Sequence, residues 1–494
     1  MTFCIPTSEK QMKLWKAIAV CACLLLSMAG AWAQEGPSVS ALNRGEYTQE
    51  EGTRRETFRD RLDLDLHFRE FMIGGRYEMD EEVRIDTLLQ EGLTKRYAEY
   101  RKDWFSARAG NSYTTFGRGL TFRSFVDDNI YLDRDVDGLK IAVNHQRGEV
   151  QALAGRPRSD VTHKRDDVIA GGSLFGQATS NLGFGGTYIR RDAANTPNDT
   201  SWGRPVEELG SALGRATWGN LDFYGEYAQR WTWGRYDPAY GWIGTDNVRG
   251  QASYGSLSFT PAGWGLAVDY KDYRHFDFAY NAPPWANRLN RNLNNALDER
   301  GWQGELTASP TLSTNLVGNF SDGWSHDYAQ RLQHGYGEFK VQALNKGLLD
   351  VWGEGVQKRL VEPSIALKKE GAGHLTATYY LTPVKTLSLE TELRQVRSQY
   401  LSGPDLKYWD DEAILTVGYA PYLSLSAIVR QTSVKVPEYN DEDLWPIGQA
   451  VLTLGRHQFT VRYGKERGGL ECSSGICIYE PPFNGLKVTA VSRF

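Results

Sequence analysis

Usable chemistry in this chain is confined to one cysteine pair and to rows of alternating charge. Cys472 and Cys477 follow Arg467-Gly468-Gly469-Leu470-Glu471 and precede Pro481-Pro482-Phe483. The other cysteines, Cys4, Cys21 and Cys23, fall within residues 1–33. In an exported chain an isolated pair reads as a disulfide, and closing so short a loop stabilises by roughly 2 kcal/mol in the chain-entropy model. A redox or metal centre would require a neighbouring His or a further Cys, and neither is present. The expected role is to stiffen an exposed loop.

The charges are patterned. Odd positions from 59 to 69 are Arg59, Arg61, Asp63, Asp65, His67 and Arg69; a second row holds Asp222, Tyr224 and Glu226, and a third Glu390, Glu392 and Arg394. Mixed signs on one face predict ladders that neutralise one another, not a one-sign field. No His-x-x-x-His pair stands in a zinc-binding context, and no Cys-x-x-Cys-His site or Gly-x-Ser-x-Gly elbow stands out. No catalytic, cofactor or metal residue is therefore assigned, and an enzyme is not expected.

The elements that carry these rows are strands. Phe58, Asp60, Leu62, Leu64, Leu66 and Phe68 alternate with the first charge row, which is the period of a strand with one apolar and one polar face. After Glu70 the phase resets, and Phe71, Ile73, Gly75, Tyr77 and Met79 oppose Met72, Gly74, Arg76 and Glu78, so the two strands form a hairpin. Similar pairs flank Lys102, Gly148, Ser180, Gly219, Pro261, Pro310, Lys346, Pro383, Pro421 and Arg456. Between them lie long polar connections at 80–92, 112–137, 156–166, 191–208, 233–247, 275–300, 322–333, 359–372, 398–410, 435–444 and 467–484.

Nothing helical is available to cover the apolar faces, so the expected cover is lipid, and a sheet in hydrocarbon must close on itself. The predicted fold is all-β: a single closed antiparallel transmembrane β-barrel of about 24 strands (roughly 20–26), with short periplasmic turns and long extracellular loops. The count includes an opening strand near 39–47. Arg59, Arg61, Asp63, Asp65, Glu390, Glu392 and Arg394 then become candidate lumen residues.

Residues 1–33 read as a signal peptide: Lys10, Lys13 and Lys16 precede an apolar run from Ala17 to Ala29, and Ala31-Trp32-Ala33 offers small residues to a signal peptidase. Residues 34–494 are assigned to the barrel. Removing those three Lys and Glu9 from 56 basic and 61 acidic residues leaves a net charge of about −7, which suggests no nucleic-acid partner. Interfacial girdles account for many of the 15 Trp and 26 Tyr without a sugar-stacking surface. The chain ends on an alternating strand, Leu486, Val488, Ala490, Ser492 and Phe494 sharing a face. A terminal aromatic of this kind resembles the recognition signal of the outer-membrane barrel-assembly machinery, an expected partner beside the lipid bilayer.

Two loop segments are richer in Gly, Pro and aromatic residues than a strand needs. Ala109 to Leu120 contains Gly110, Gly117 and Gly119 and suits a bend against the inner wall, with Tyr113, Phe116 and Arg118 as candidate constriction residues. It is no phosphate loop, since no Lys-Ser/Thr follows. Tyr280-Asn281-Ala282-Pro283-Pro284-Trp285 is stiffened by its prolines and suits an ordered loop over or in the mouth.

Together with the cysteine loop, these segments resemble a family of outer-membrane β-barrel proteins of unknown function found mainly in Bacteroidota and related bacteria. The shared patterns are Gly-x-x-Tyr-x-x-Phe-Gly-x-Gly-Leu from Gly110, Asn-x-Pro-Pro from Asn281 and Gly-Gly-x-x-Cys-x-x-x-x-Cys from Gly468. Asn111, Ser112 and Thr114 depart from the acidic and aromatic residues family members tend to carry. The resemblance implies a barrel but no activity, cofactor or site residue. The functional expectation is a porin-like channel or translocation pore in the bacterial outer membrane for an unidentified solute or polymer. The alternative is a structural or assembly barrel with a blocked lumen and an unidentified protein partner.

Overall fold

Period-two alternation becomes strand nearly everywhere it occurs: 24 strands form one antiparallel sheet, and no helix is found among the described residues. The computed structural model describes residues 37–53, 55–82, 87–127, 132–159, 164–193, 206–233, 235–237, 241–243, 248–289, 293, 298–343, 346–362, 365–402, 404–434, 443–473, 476–480 and 482–494. The expected signal peptide lies outside them.

The hairpin Glu56–Phe68 and Phe71–Glu82 shows the local logic. It pairs Asp63 with Arg76 and Leu62 with Tyr77, turning at Arg69, whose φ is +53°. Leu66, Phe68, Phe71 and Ile73 stand exposed on the outward side. On the inward side Arg76 donates to Asp63 at 2.6 Å and Arg59 to Asp80 at 3.1 Å. Each later barrel strand pairs with the one before it, and the first, Ser38–Glu50, pairs with the last, Phe483–Arg493, in the register Arg44↔Val491 and Thr48↔Lys487. The sheet is closed.

Twenty-four strands spaced about 4.8 Å apart give roughly 115 Å of wall, and a tilt of about 40° opens this to a diameter of roughly 45–50 Å. Wall side chains alone cannot fill such a lumen. Outside, Leu387, Leu389, Leu393, Leu415, Val417, Leu425 and Val429 are exposed, and no second layer of described residues covers them. Hydrocarbon is the medium that accepts such a surface.

One rim carries eleven connections of two to four residues, and the other carries most of the longer ones, with 113–135 and 275–297 the longest. The alternation has two exceptions, 83–86 with four residues and 363–364 with two. The connection expected at 359–372 is strand, because Gly347–Glu362 and Ile365–Thr382 leave only residues 363–364 between them. Outward positions there include Lys369, Gly371 and Gly373, too few apolar side chains for the alternation to be visible in the sequence. For similar reasons 80–92, 322–333 and 398–410 shrink to 83–86, 326–330 and 401–405, and the opening strand lengthens to Ser38–Glu50. Four small hairpins stand apart from the barrel sheet: Thr115–Phe116 with Phe122–Arg123, Val126–Asp127 with Leu132–Asp133, Arg235–Asp237 with Gly241–Ile243, and Gly469–Ser473 with Ile476–Glu480.

The two faces can be told apart by charge insertion. Leu389→Arg, outward, should lower stability in lipid by about 2–4 kcal/mol, and Ser388→Arg, its inward neighbour, by no more than about 1 kcal/mol. Urea unfolding in vesicles measures both, and equal penalties would contradict the assignment of faces.

Candidate functional site

On eight consecutive strands the inner wall is apolar where a wetted lumen would be polar. Val136, Leu153, Ile169, Ile189, Leu209, Ala228, Ala252 and Tyr273 form the row; Ile189 faces Leu209, and Ala252 faces both Ala228 and Tyr273. The two longest connections cover it. Residues 113–135 send in Phe116, Leu120 and Phe122, and residues 275–297 send in Phe276, Phe278 and Tyr280, all buried in one cluster with the wall. Burying each such side chain stabilises by about 1.5–3 kcal/mol, which draws both connections inside the barrel. The described residues of 112–137 that join this cluster therefore lie within the lumen, not over its rim.

Local sequence allows the tight fold. Gly117 and Gly119 have φ of +56° and +88°, and a Cβ on Gly119 would lie 2.8 Å from the Ala282 carbonyl oxygen. Between them the Arg118 N–H donates to Glu226 at 3.2 Å. Glu226 lies mid-strand in Leu221–Trp233 and also accepts from Tyr224 at 2.6 Å and Ser211 at 2.8 Å. The tip of the first segment thus reaches the middle of the barrel wall. Thr121 and Thr187 share a hydrogen bond at 2.7 Å beside it.

The root of the same segment is pinned by charge. The Tyr113 hydroxyl donates to Asp133 at 2.7 Å, Lys95 lies 2.5 Å from that carboxylate and contacts the Tyr113 hydroxyl, and Arg76 approaches Asp133 at 3.5 Å. Burial pushes the Asp133 carboxyl up, but Lys95, Tyr113 and Arg76 together hold it below the usual carboxylate range. Burial first, then Asp133, raises the Tyr113 phenol far above its ordinary value. Asp135, fully buried, takes two hydrogen bonds of 2.7 Å from Arg165.

The second segment is held from both sides. Tyr273 donates to the Pro284 carbonyl at 2.8 Å and Tyr280 to Asp167 at 2.7 Å. Arg288 stacks 3.8 Å over Tyr336, and Leu289 and Leu293 pack on Leu332 and Val356. The two segments, distant in sequence, meet along a seam. Ala282 N donates to Gly119 O at 3.1 Å, Arg123 N to Tyr280 O at 2.9 Å, Asn281 Nδ2 to Leu120 O at 3.1 Å and Arg134 to Asn281 O at 3.3 Å. The Gly-rich and the Asn-x-Pro-Pro segments singled out in the sequence thus meet as the two sides of one seam.

Across the lumen the wall is charged. Arg394 lies 2.8 Å from Glu392, 3.2 Å from Glu370 and 3.5 Å from Glu354, and His374 lies 3.3 Å from Glu390. Arg59, Arg61, Asp63 and Asp65 share the inward face of Glu56–Phe68, with Arg61 3.2 Å from Asp63. The sequence-derived candidates therefore divide: Tyr113, Phe116 and Arg118 belong to the first inward segment, and the others lie on the inward face of the wall. Cys472 and Cys477 are cross-strand partners in their hairpin. Phe494 exchanges backbone hydrogen bonds of 2.9 and 3.3 Å with Ala41, and its ring lies 5.6 Å from His457.

Sequence reasoning missed Arg123, Arg134 and the apolar inner row. A signal existed: Ile189 shares a face with Gly183, Gly185, Thr187 and Arg191, so apolar residues stand on both faces of its strand.

A family model described as a family of unknown function (DUF6029) matches residues 28–298 and 369–494. No curated protein matches in sequence. Among solved structures, the P pilus usher (PapC) translocation pore is 10% identical with a TM-score of 0.46, covering 92% of this chain and 99% of that one. The siderophore receptor PirA from Pseudomonas aeruginosa is 10% identical with a TM-score of 0.47, covering 93% of this chain and 81% of that one. OccK5 (OpdH) from Pseudomonas aeruginosa is 12% identical with a TM-score of 0.40, covering 79% and 99%.

Gly119→Ala should weaken the seam by about 1–3 kcal/mol, through both the left-handed backbone and the crowding of Ala282. Hydrogen exchange should rise about tenfold or more over 116–123 and 278–284 while Val136–His145 stays protected. Unchanged exchange at the seam would rule the contact out.

Proposed function

The chain belongs to the family of unknown function DUF6029, and from that premise we propose that it is a porin-like channel of the bacterial outer membrane, narrowed off-centre by its two inward segments. The observation that carries this reading is the division of the lumen wall. One side is apolar and covered by Phe116, Leu120, Phe122, Phe276, Phe278 and Tyr280 of the two inward segments, and the opposite side keeps charged side chains wetted, with Glu390 44% exposed and Glu392 and Arg394 each 28% exposed. A wall of paired charges along a water-filled space suits passage of a hydrophilic solute.

In this reading residues 1–33 direct export, the outward apolar face meets lipid, Phe494 serves barrel assembly, and Cys472 and Cys477 close a disulfide in a loop at the outer rim. The inward segments would equally suit a barrel whose lumen is shut and whose loops serve a structural or assembly role. The two readings part on conductance.

Purified protein in a planar bilayer is expected to show stable single-channel currents, and replacing residues 115–134 by a short Gly-Ser linker should raise the unit conductance several-fold. Silence from both forms in correctly folded, heat-modifiable protein would overturn the channel reading in favour of the structural one.

A further inference from the structure

Several lumen guanidiniums are neutralised at short range. Arg76 lies 2.6 Å from Asp63, Arg191 2.6 Å from Glu207, Arg230 2.5 Å from Glu207 and Arg394 2.8 Å from Glu392. The first inward segment breaks this pattern. Among the described residues the Arg123 guanidinium has no carboxylate within ion-pairing distance and rests on an aromatic ring instead, whereas Arg118 rests on Tyr224 beside Glu226, which its backbone N–H contacts at 3.2 Å. Arg118 is 4.7 Å from the Tyr224 ring and 5.8 Å from that of Tyr254. Arg123 is 4.7 Å from the Phe125 ring, and Arg134 approaches the same ring at 5.8 Å. The Arg123 side chain folds back along the turn, its Cβ and Cδ lying 3.4 Å from where a Cβ on Gly119 would stand.

We propose that this segment presents an anion-binding site to the lumen, centred on Arg123 with Arg134 beside it on the Phe125 ring, and that its ligands are small solutes bearing a carboxylate or phosphate. A partly buried guanidinium without a counter-charge is held at a free-energy cost that a ligand oxyanion would offset, and its planar fork matches carboxylate and phosphate oxygens. Stacking on aromatic rings holds the fork in place without consuming its charge. The neighbouring charge at Arg123 is a second cation: burial and then Arg134 push it below the ordinary arginine range. The seam fixes the geometry, since the Arg123 N–H is bonded to Tyr280 O at 2.9 Å and the Arg134 guanidinium to Asn281 O at 3.3 Å.

The inference rests on the channel reading for its role but is tested apart from it. In a bilayer under a KCl gradient the reversal potential should report an anion preference. Arg123→Glu and Arg134→Glu should each shift the chloride-to-potassium permeability ratio toward potassium by about threefold or more, and millimolar inorganic phosphate should reduce the chloride current of the unaltered protein but not of Arg123→Gln. A conducting protein whose selectivity ignores these changes would sink the anion site and leave the channel. If no current is seen, calorimetric titration of the full chain in detergent with inorganic phosphate decides: binding weakened at least tenfold by Arg123→Gln supports the site, and no binding, or equal binding, overturns it.

Discussion

Pairing between Ser38–Glu50 and Phe483–Arg493 is the interaction on which the rest of the molecule depends. From Leu42↔Arg493 to Glu50↔Gly485 these strands supply the partners each would otherwise lack, and the Phe494 N–H bonds Ala41 O at 2.9 Å just beyond. In hydrocarbon an unpaired amide has no water to turn to, so an open sheet of this size could not sit there. Closure joins the first and last barrel strands, so neither can be lost without opening an edge. It also frees each strand from packing against a second layer, which is why Leu389, Leu415 and Val417 can stand exposed outside.

Closure at this strand number creates a second demand inside. A barrel roughly 45–50 Å wide cannot bring opposite walls into contact, so the interior must be wetted or filled by chain that leaves the sheet. This protein does both. Where the inner face is Ile169, Ile189 and Leu209, it is dry, sealed by Phe116, Phe122, Phe276 and Phe278. Where it is Glu354, Glu370, Glu392 and Arg394, one guanidinium is shared by three carboxylates across neighbouring strands, a charged surface that water must cover.

Architecture was legible in the sequence because it is written in local pattern. Alternation names the strands, and the asymmetry between turns such as Arg69-Glu70 and connections such as 113–135 names the two rims. It failed where a strand lacks apolar side chains, as at Lys368-Lys369-Glu370-Gly371, because backbone pairing can extend a strand without help from its side chains. The constriction was legible only in parts. Tyr113, Phe116 and Arg118, and the segment around Pro283 and Pro284, stood out by composition, but their meeting did not. The seam joins backbone to backbone, at Ala282 N to Gly119 O and Arg123 N to Tyr280 O. Backbone hydrogen bonds carry no side-chain signature.

The seam also governs how the constriction can move. Each inward segment has its own hold on the wall, Arg118 N on Glu226 for the first and Arg288 on Tyr336 for the second. Withdrawing the first alone would leave Tyr280 O and Ala282 N without partners beside an apolar cluster, where an unsatisfied group costs about 1–3 kcal/mol. Withdrawing the second alone would strip Phe276, Phe278 and Tyr280 from the same cluster and expose Phe116 and Phe122. Either segment is therefore better held when the other is in place. The pair should behave as one body whose lumen face, carrying Arg118 and Arg123, keeps its geometry whatever passes along the charged wall opposite.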